Sequence, residues 1–330
     1  MRAITYQVQT DTFSAQTLPM PEITSPNDVL IKVLAVGVNP VDAKINLWHS
    51  MVRNMSDSFV GGLDVSGEIV EVGGAVKEWK VGDRVLYHGD MRRHHGGFAE
   101  YAIHDARTLI AHPDVAPEIA AATPCAGWTA MQAVESRLHV AGRKNIFIAG
   151  GSGGVGSFAI QLARHAGCGQ IITTCSAANH DFVRSLGATD VIDYQTQDIE
   201  ARVMAITDDD GVDVALDCVG GDSDIDCANV LRYEGHLVEL VRTVRPEAYR
   251  DAFMRGLIFH QLSLGAGHVN GEYGRKSIRL AGERFGRLLE RGAVMVPRLS
   301  VIEFDELPQA IVAMRAQRTV GKVVAKIASA

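Results

Sequence analysis

Short alternations of apolar and polar positions fill the first hundred residues. The runs "DVLIKVLAVGV" (28–38), "SGEIVEVG" (66–73), "DRVLYH" (83–88) and "FAEYAIH" (98–104) are divided by Gly, Asp and Pro. Such runs are the pattern of strands joined by tight turns, and their close spacing predicts a compact β-rich domain of barrel-like or folded-sheet form. From about residue 119 the rhythm changes. "NIFIAG" (145–150), "QIITTCS" (170–176), "DVIDY" (190–194), "VDVALDCVG" (212–220) and "GHLVELV" (235–241) read as buried strands, with helical periodicity at 155–166, 179–186, 197–206 and 222–232 between them. Strand alternating with helix predicts a parallel α/β sheet. A long amphipathic stretch (276–291) follows "QLSLGAG" (261–267), and "GKVVAKI" (321–327) again reads as a strand. The α/β block therefore stands as an insertion between two parts of the first domain.

Composition narrows the class. At 330 residues, with 47% hydrophobic and 22% charged content, the chain suits two globular domains. A formal net charge of −7 argues against nucleic acid as a partner, and the densest basic cluster, "MRRHHGG" (91–97), is short. The start "MRAITYQVQT" has no apolar core of a signal segment, and no run reaches the eighteen or so apolar residues of a spanning helix, so a cytoplasmic protein is expected. Cys125, Cys168, Cys175, Cys218 and Cys227 are odd in number and form no CxxC pair; free, mostly buried thiols are expected.

Two stretches carry candidate chemistry. In "VGVNPVDAKI" (36–45), Asn39 suits a helix N-cap, Pro40 the first helical position and Asp42 the third. In "NIFIAGGSGGVGSFAIQLAR" (145–164), Gly151, Gly153 and Gly156 satisfy G-x-G-x-x-G after an apolar strand and at the opening of a helix. The first glycine would allow the tight turn, the second the approach of a pyrophosphate, and the third close helix–strand packing. The loop Gly151, Ser152, Gly153, Gly154, Val155 and Gly156 is thus a candidate dinucleotide site. NAD-binding versions usually place an acid at the end of the next strand. Here that end is Cys175 and Ser176, with no acid before Asp181. NADPH is therefore the expected cofactor, its 2′-phosphate falling to Ser176, Asn179, His180 and Tyr194.

The ordered set "GVNPVDAKI", "GLDVSGEIVEVG", "GDRV", "GGFAEYA", "AGGSGGVG", "SLGATDVIDY", "DCVGG" and "GKVV" resembles the medium-chain dehydrogenase/reductase superfamily, and within it the zinc-independent quinone oxidoreductase branch. The likeness implies a GroES-like catalytic domain (1–118 and 268–330) around a Rossmann NADP-binding domain (119–267), with the cofactor in the cleft and a homodimeric assembly. It implies Asn39 and Asp42 at the active site. Lys44 occupies the position where relatives often carry a Tyr, and is a candidate proton donor. Thr129 is implied near the nicotinamide, and Cys218, Val219 and Gly265 near the ribose and nicotinamide. Zinc-dependent members have a Cys where this chain has Asn39, a His where it has Leu63 before Asp64, and a third ligand near Ala122. No metal is therefore expected, and His94 and His95 read as solvated loop residues.

The expected function is hydride transfer from NADPH to a quinone or other conjugated carbonyl, with the cofactor carrying the chemistry and the protein orienting it. The alternatives are double-bond reduction of a 2-alkenal, enone or enoyl thioester, with Arg92 and Arg93 as a rim for an acyl carrier's phosphates, and a non-catalytic NADPH-binding interaction protein. Segments 45–60 and 88–97 are expected to wall the acceptor pocket, with Trp48, Met51 and Phe59 as an apolar lid or as core anchors.

Overall fold

Strand Asp28–Val38 is buried along nearly its whole length and is the spine of one unit. It pairs antiparallel with Asp64–Val72, Tyr101–Asp105 and Lys322–Lys326. These belong to a seven-stranded sheet in the order Leu299–Glu303, Lys322–Lys326, Asp28–Val38, Asp64–Val72, Arg84–His88 and Ile110–Ala111, with Tyr101–Asp105 joined to the spine. Val29, Ile31, Val33, Val65, Ile69, Val85 and Phe98 fill its core. The register positions the chemistry: Gly37 lies opposite Asp64, Asp64 opposite His88, and Val38 opposite Val323. Asn39, Asp64, His88 and Lys322 are thereby gathered at one end of the sheet. Gly37 is required there, because a Cβ would stand 2.4 Å from the Ala121 carbonyl oxygen.

The computed structural model describes residues 1–316 and 321–327; the remainder of the expected segment 268–330 lies outside the described residues. Two units are resolved by contact: Met1–Trp128, Leu264–Arg291 and Val296–Ala330, and Thr129–Ser263 with Gly292–Met295. Residues 119–128 and 264–267, which the sequence reading put in the inserted domain, pack in the first unit. Ala121 and Ala122, for example, are buried against Ala35 and Val324.

The second unit carries a six-stranded parallel sheet in the order Asp190–Asp193, Gln170–Cys175, Asn145–Ala149, Val212–Asp217, Leu231–Glu239, Ile258–Gln261. Counted from Asn145–Ala149 as the first strand, this is 3-2-1-4-5-6, the Rossmann order, in which ligands bind beyond the carboxyl ends of the strands where the order reverses. The helix read over 222–232 is shorter, Ser223–Asn229, because its last residues already belong to strand Leu231–Glu239. The hairpin of Arg2–Gln7 with Thr12–Thr17 was not foreseen, its second strand being too polar to show alternation. All five cysteines are free. Among the described residues no helix is long and apolar enough to cross a membrane.

Candidate functional site

Helix Pro40–Ala43 begins as the sequence suggests, but Asn39 does not spend its side chain on the cap. The Asp42 N–H donates to the Asn39 backbone carbonyl at 3.0 Å, and the Asn39 N–H donates to Asp42 Oδ2 at 2.9 Å. The Asn39 carboxamide turns into the protein instead. Its Nδ2 donates to Asp64 Oδ2 at 2.8 Å, and its Oδ1 accepts from Lys322 Nζ at 2.5 Å. Asp64 also accepts from the Cys125 N–H (2.8 Å) and from His88 Nδ1 (2.7 Å). All of Asn39, Asp42, Asp64, His88 and Lys322 are buried.

Asp42 differs from its neighbours in having an oxygen, Oδ1, with no hydrogen-bond partner. Burial, and then the nearby Asp64 carboxylate, push its carboxyl up to about 7. Asp42 also lines a pocket of this unit with Ile45, Trp48, Phe59, Asp90 and Met91. Segments 45–60 and 88–97 thus meet around one pocket. Within it Trp48 packs edge-on against Phe59, at 6.2 Å between ring centres. Met51 is exposed and is not among the lining residues. Lys44 is exposed, so the structure does not bring it into the buried group of Asn39 and Asp42. His94 is half-buried, its Nε2 lying 3.0 Å from the Arg53 carbonyl oxygen at an exposed place and its ring meeting Phe59 edge-on.

Asp64, His88 and Cys125 bring three potential metal-ligating atoms within 4.8 Å of one another, so zinc must be tested against the donor set. It does not fit. Both Asp64 oxygens and His88 Nδ1 are engaged in the hydrogen bonds above. Burial and Asp64 push the Cys125 thiol far up, away from the thiolate that zinc needs. A buried ammonium on Lys322 stands one residue away, on Asn39. The sequence comparison had looked near Ala122; the side chain that reaches this place is Cys125, three residues on.

In the second unit the glycines divide their work differently from the sequence reading. Gly150, not Gly151, adopts the positive φ (77°) of the tight turn. A Cβ on Gly151 would stand 2.1 Å from Thr173 Oγ1, so this glycine serves close packing onto the next strand. Gly156 packs as expected, a Cβ there meeting the Gly150 oxygen at 2.3 Å. Gly153 is exposed and a Cβ would find only the Gly150 oxygen, at 3.3 Å, which leaves it open for a ligand. Helix Gly154–His165 starts immediately behind, with Ser152, Gly154 and Val155 half-buried.

Beside this loop, strand Val212–Asp217 ends in a turn where Asp217 Oδ1 accepts from the N–H groups of Val219 (2.8 Å) and Gly220 (3.1 Å). Asp217 Oδ2 is buried without a partner. Cys218 and Val219 were the residues expected here; Asp217, the carboxylate at the head of the turn, was not among them. At the end of strand Gln170–Cys175, Cys175 is buried, Asn179 Nδ2 donates to Ser176 Oγ at 3.2 Å, and Tyr194 is exposed. Arg184 also acts on Cys175, opposing the upward push of burial and Asp193, which bring its thiol to about 11. Arg184 itself pairs with Asp181 at 3.7 Å on the following helix. Thr129 is buried at the opening of the second unit. Gly265 lies in the first unit, where a Cβ would stand 3.9 Å from His88 Nε2. The open glycine tip, the helix start and the orphaned Asp217 oxygen fit a dinucleotide with its pyrophosphate and ribose.

Comparison with known proteins agrees with both units. Residues 25–114 match the family model of the alcohol dehydrogenase GroES-like domain, and residues 154–281 that of the zinc-binding dehydrogenase. A chloroplast envelope quinone oxidoreductase homolog of Arabidopsis thaliana is 38% identical over 62% of this chain and 63% of its own. An NADPH-dependent alkenal/one oxidoreductase, chloroplastic, of the same plant is 35% identical over 70% of this chain and 59% of its own. The matches thus span less than two thirds of these relatives' length. The solved structure of the quinone oxidoreductase from Coxiella burnetii is similar over 99% of both chains, with a TM-score of 0.83 and 26% identity. With its GroES-like sheet, its Rossmann-like sheet and these likenesses, the chain belongs to the medium-chain dehydrogenase/reductase superfamily, in the quinone oxidoreductase-like branch.

Proposed function

We propose that the chain is a zinc-independent, NADPH-dependent oxidoreductase that reduces a conjugated carbonyl acceptor, with a quinone as the first substrate class. The observation that carries this reading is the network at Asp64: the donors a metal would need are already hydrogen-bonded, while Asp42 keeps one buried oxygen unpaired beside an apolar pocket. When bound, NADPH supplies the hydride. The second unit's part is to hold it through the glycine loop and Asp217, with Thr129 at the opening of the unit. The absence of an acid at Cys175 and Ser176, together with Asn179 and Tyr194, favours a 2′-phosphate. The name of the alkenal/one relative supports the same cofactor. The first unit's part is to hold the acceptor between segments 45–60 and 88–97, with Gly265 close to His88, and to meet the charge that develops on its oxygen with Asp42, whose other oxygen the Asn39 backbone N–H holds.

A trans-enoyl reductase of Aspergillus terreus, 37% identical, and the alkenal/one relative keep double-bond reduction as the second reading. The form of it that uses a phosphate-bearing acyl carrier is weakened by the structure. Arg92 is bound to Asp90 (2.8 Å), and Arg93 to buried Asp28 (3.0 Å), so neither stands ready for a phosphate. Five free cysteines suit a reducing compartment, and we assign the protein to the cytoplasm. Edge strand Ile258–Gln261, near exposed Phe253 and Met254, offers a surface for a homodimer.

The test is NADPH oxidation against NADH at equal concentration, over a 1,4-quinone and a 2-alkenal. Faster NADPH oxidation with the quinone supports the reading. Saturable NADPH binding without turnover on either acceptor overturns it in favour of a binding role.

The Asp42 carboxyl adds a pH dependence. Below about 7 it is protonated and can donate through Oδ1; above, it is a second buried anion beside Asp64. Turnover is expected to fall as pH rises through about 7, and folding stability is expected to decline as pH rises from the ordinary carboxylate range toward the same value, because the folded protein holds the proton more tightly than the unfolded chain. Asp42→Asn should flatten the falling limb. A limb that survives in that variant assigns the proton elsewhere.

A further inference from the structure

Lys322 opens strand Lys322–Lys326 and is 3% exposed. A buried ammonium is costly unless its charge and its protons are answered. The partner the structure gives Nζ is a neutral atom, Asn39 Oδ1, at 2.5 Å. The answering charge lies one group further on, at Asp64, which takes the other end of the same carboxamide.

This arrangement leaves Asn39 no freedom. Lys322 can only donate and ionised Asp64 can only accept. Flipping the amide would set its N–H groups against the ammonium and its oxygen against the carboxylate. The orientation passes on along the network. Asp64, fixed by Asn39 Nδ2 and the Cys125 N–H, receives His88 Nδ1–H, and the Asn39 backbone N–H occupies Asp42 Oδ2, so that Oδ1 is the oxygen left over.

We propose that Lys322 is a positioning residue for the reaction: it locks the Asn39 carboxamide in one orientation and supplies the positive charge that lets the Asp42 and Asp64 carboxyl groups share one buried site. The proposal rests on the reading that Asp42 meets the acceptor and that Asn39 holds it in place from behind. Lys322 lies 283 residues from Asn39 in sequence; the "GKVV" motif that contains it was read only as a strand and as part of the family likeness, with no role for the lysine.

The groups facing Asp42 decide what removing Lys322 does. Asp64 raises the Asp42 carboxyl, whereas His88 and Lys322 lower it. Cys125 stands in the same cluster with its thiol neutral. Arg315, on the helix packed against Pro40–Ala43, is bound to the Ala43 carbonyl at 2.7 Å. Across the pocket stand Asp90, Arg93, His94 and His104; Asp90 and Arg93 are already paired, and burial keeps His104 neutral. His88 lowers the Asp42 carboxyl more than Lys322 does, and Lys322 is the ammonium of the cluster whose loss would raise it further.

The experiment compares the full chain with Lys322→Met and Lys322→Arg, reading kcat, the KM for NADPH and thermal unfolding from pH 5.5 to 9 with a 1,4-quinone. Lys322→Met is expected to lose roughly ten- to a hundredfold in kcat, to keep its KM for NADPH within twofold, and to move the falling limb to higher pH because Asp42 has lost a stabilising cation. Lys322→Arg, which keeps the charge but not the single-point geometry, is expected to leave the limb in place and recover part of kcat. A limb unmoved in the methionine variant, or a loss of kcat matched by an equal loss of NADPH affinity, overturns the proposal. Should the methionine variant fail to fold, the arginine variant decides: a reduced kcat with an unmoved limb supports the proposal, and an unchanged kcat overturns it. Wild-type protein that turns over no conjugated acceptor would instead refute the functional reading itself.

Discussion

Asp64→Ala is expected to lower the unfolding temperature by roughly 6–20 °C, from a loss of about 3–5 kcal/mol. Three donors converge on this buried carboxylate: His88 Nδ1, Asn39 Nδ2 and the Cys125 N–H. Alanine strands all three and leaves the Lys322 ammonium without a compensating charge in the interior. Breaking one partner of a buried ionic network costs far more than the network contributes, because the remaining charge cannot reach water. Asp64→Asn keeps the shape and one acceptor, so its loss should be about half as large. Differential scanning calorimetry of the three proteins checks the order. An alanine variant within 2 °C of wild type would show that the network is not tight enough to exclude solvent.

Gly156→Ala is expected to weaken NADPH binding by roughly a hundredfold, equivalent to about 2.7 kcal/mol, and to lower thermal stability as well. The added Cβ would stand 2.3 Å from the Gly150 oxygen and 2.8 Å from Gly151 Cα. These are backbone atoms of the loop itself, so helix Gly154–His165 must back away from the strand that supports it, an overpacking cost of about 1–3 kcal/mol. Gly153→Ala is the discriminating control. Its φ of −76° is open to alanine and its nearest obstacle is 3.3 Å away, so stability should hold while NADPH affinity still falls. Fluorescence titration with NADPH and thermal unfolding separate the two effects. Equal affinity in wild type and Gly153→Ala would place the pyrophosphate away from this tip.

The edge strand Ile258–Gln261, short and half exposed, carries no periodicity of its own. Periodicity revealed the other five of the six parallel strands and the helices between them because each carries its own local signal. The glycine loop was legible for the same reason, although which glycine takes the turn depends on Thr173 and Thr174 of the next strand: a Cβ at Gly151 would collide with Thr173, and the Gly150 N–H is bound to Thr174 Oγ1 at 3.0 Å. The first site was only half legible. "NPVD" has the grammar of a helix cap, and the backbone obeys it, yet the Asn39 side chain is claimed by Asp64 and Lys322. Those partners are set by sheet register across 25 and 283 residues, which no local pattern encodes. His88 and Cys125 were hidden in the same way, and Asp217 was passed over because its neighbours looked like simple turn chemistry.

The most direct test of the account is turnover by metal-free protein. Preparations would be assayed for bound zinc by elemental analysis, then for NADPH oxidation with a 1,4-quinone before and after exhaustive chelation. The account predicts less than one zinc per ten chains and an unchanged rate after chelation. A stoichiometric metal, with activity lost on chelation and restored by zinc, would contradict it and would mean that Asp64, His88 and Cys125 exchange their hydrogen bonds for a metal.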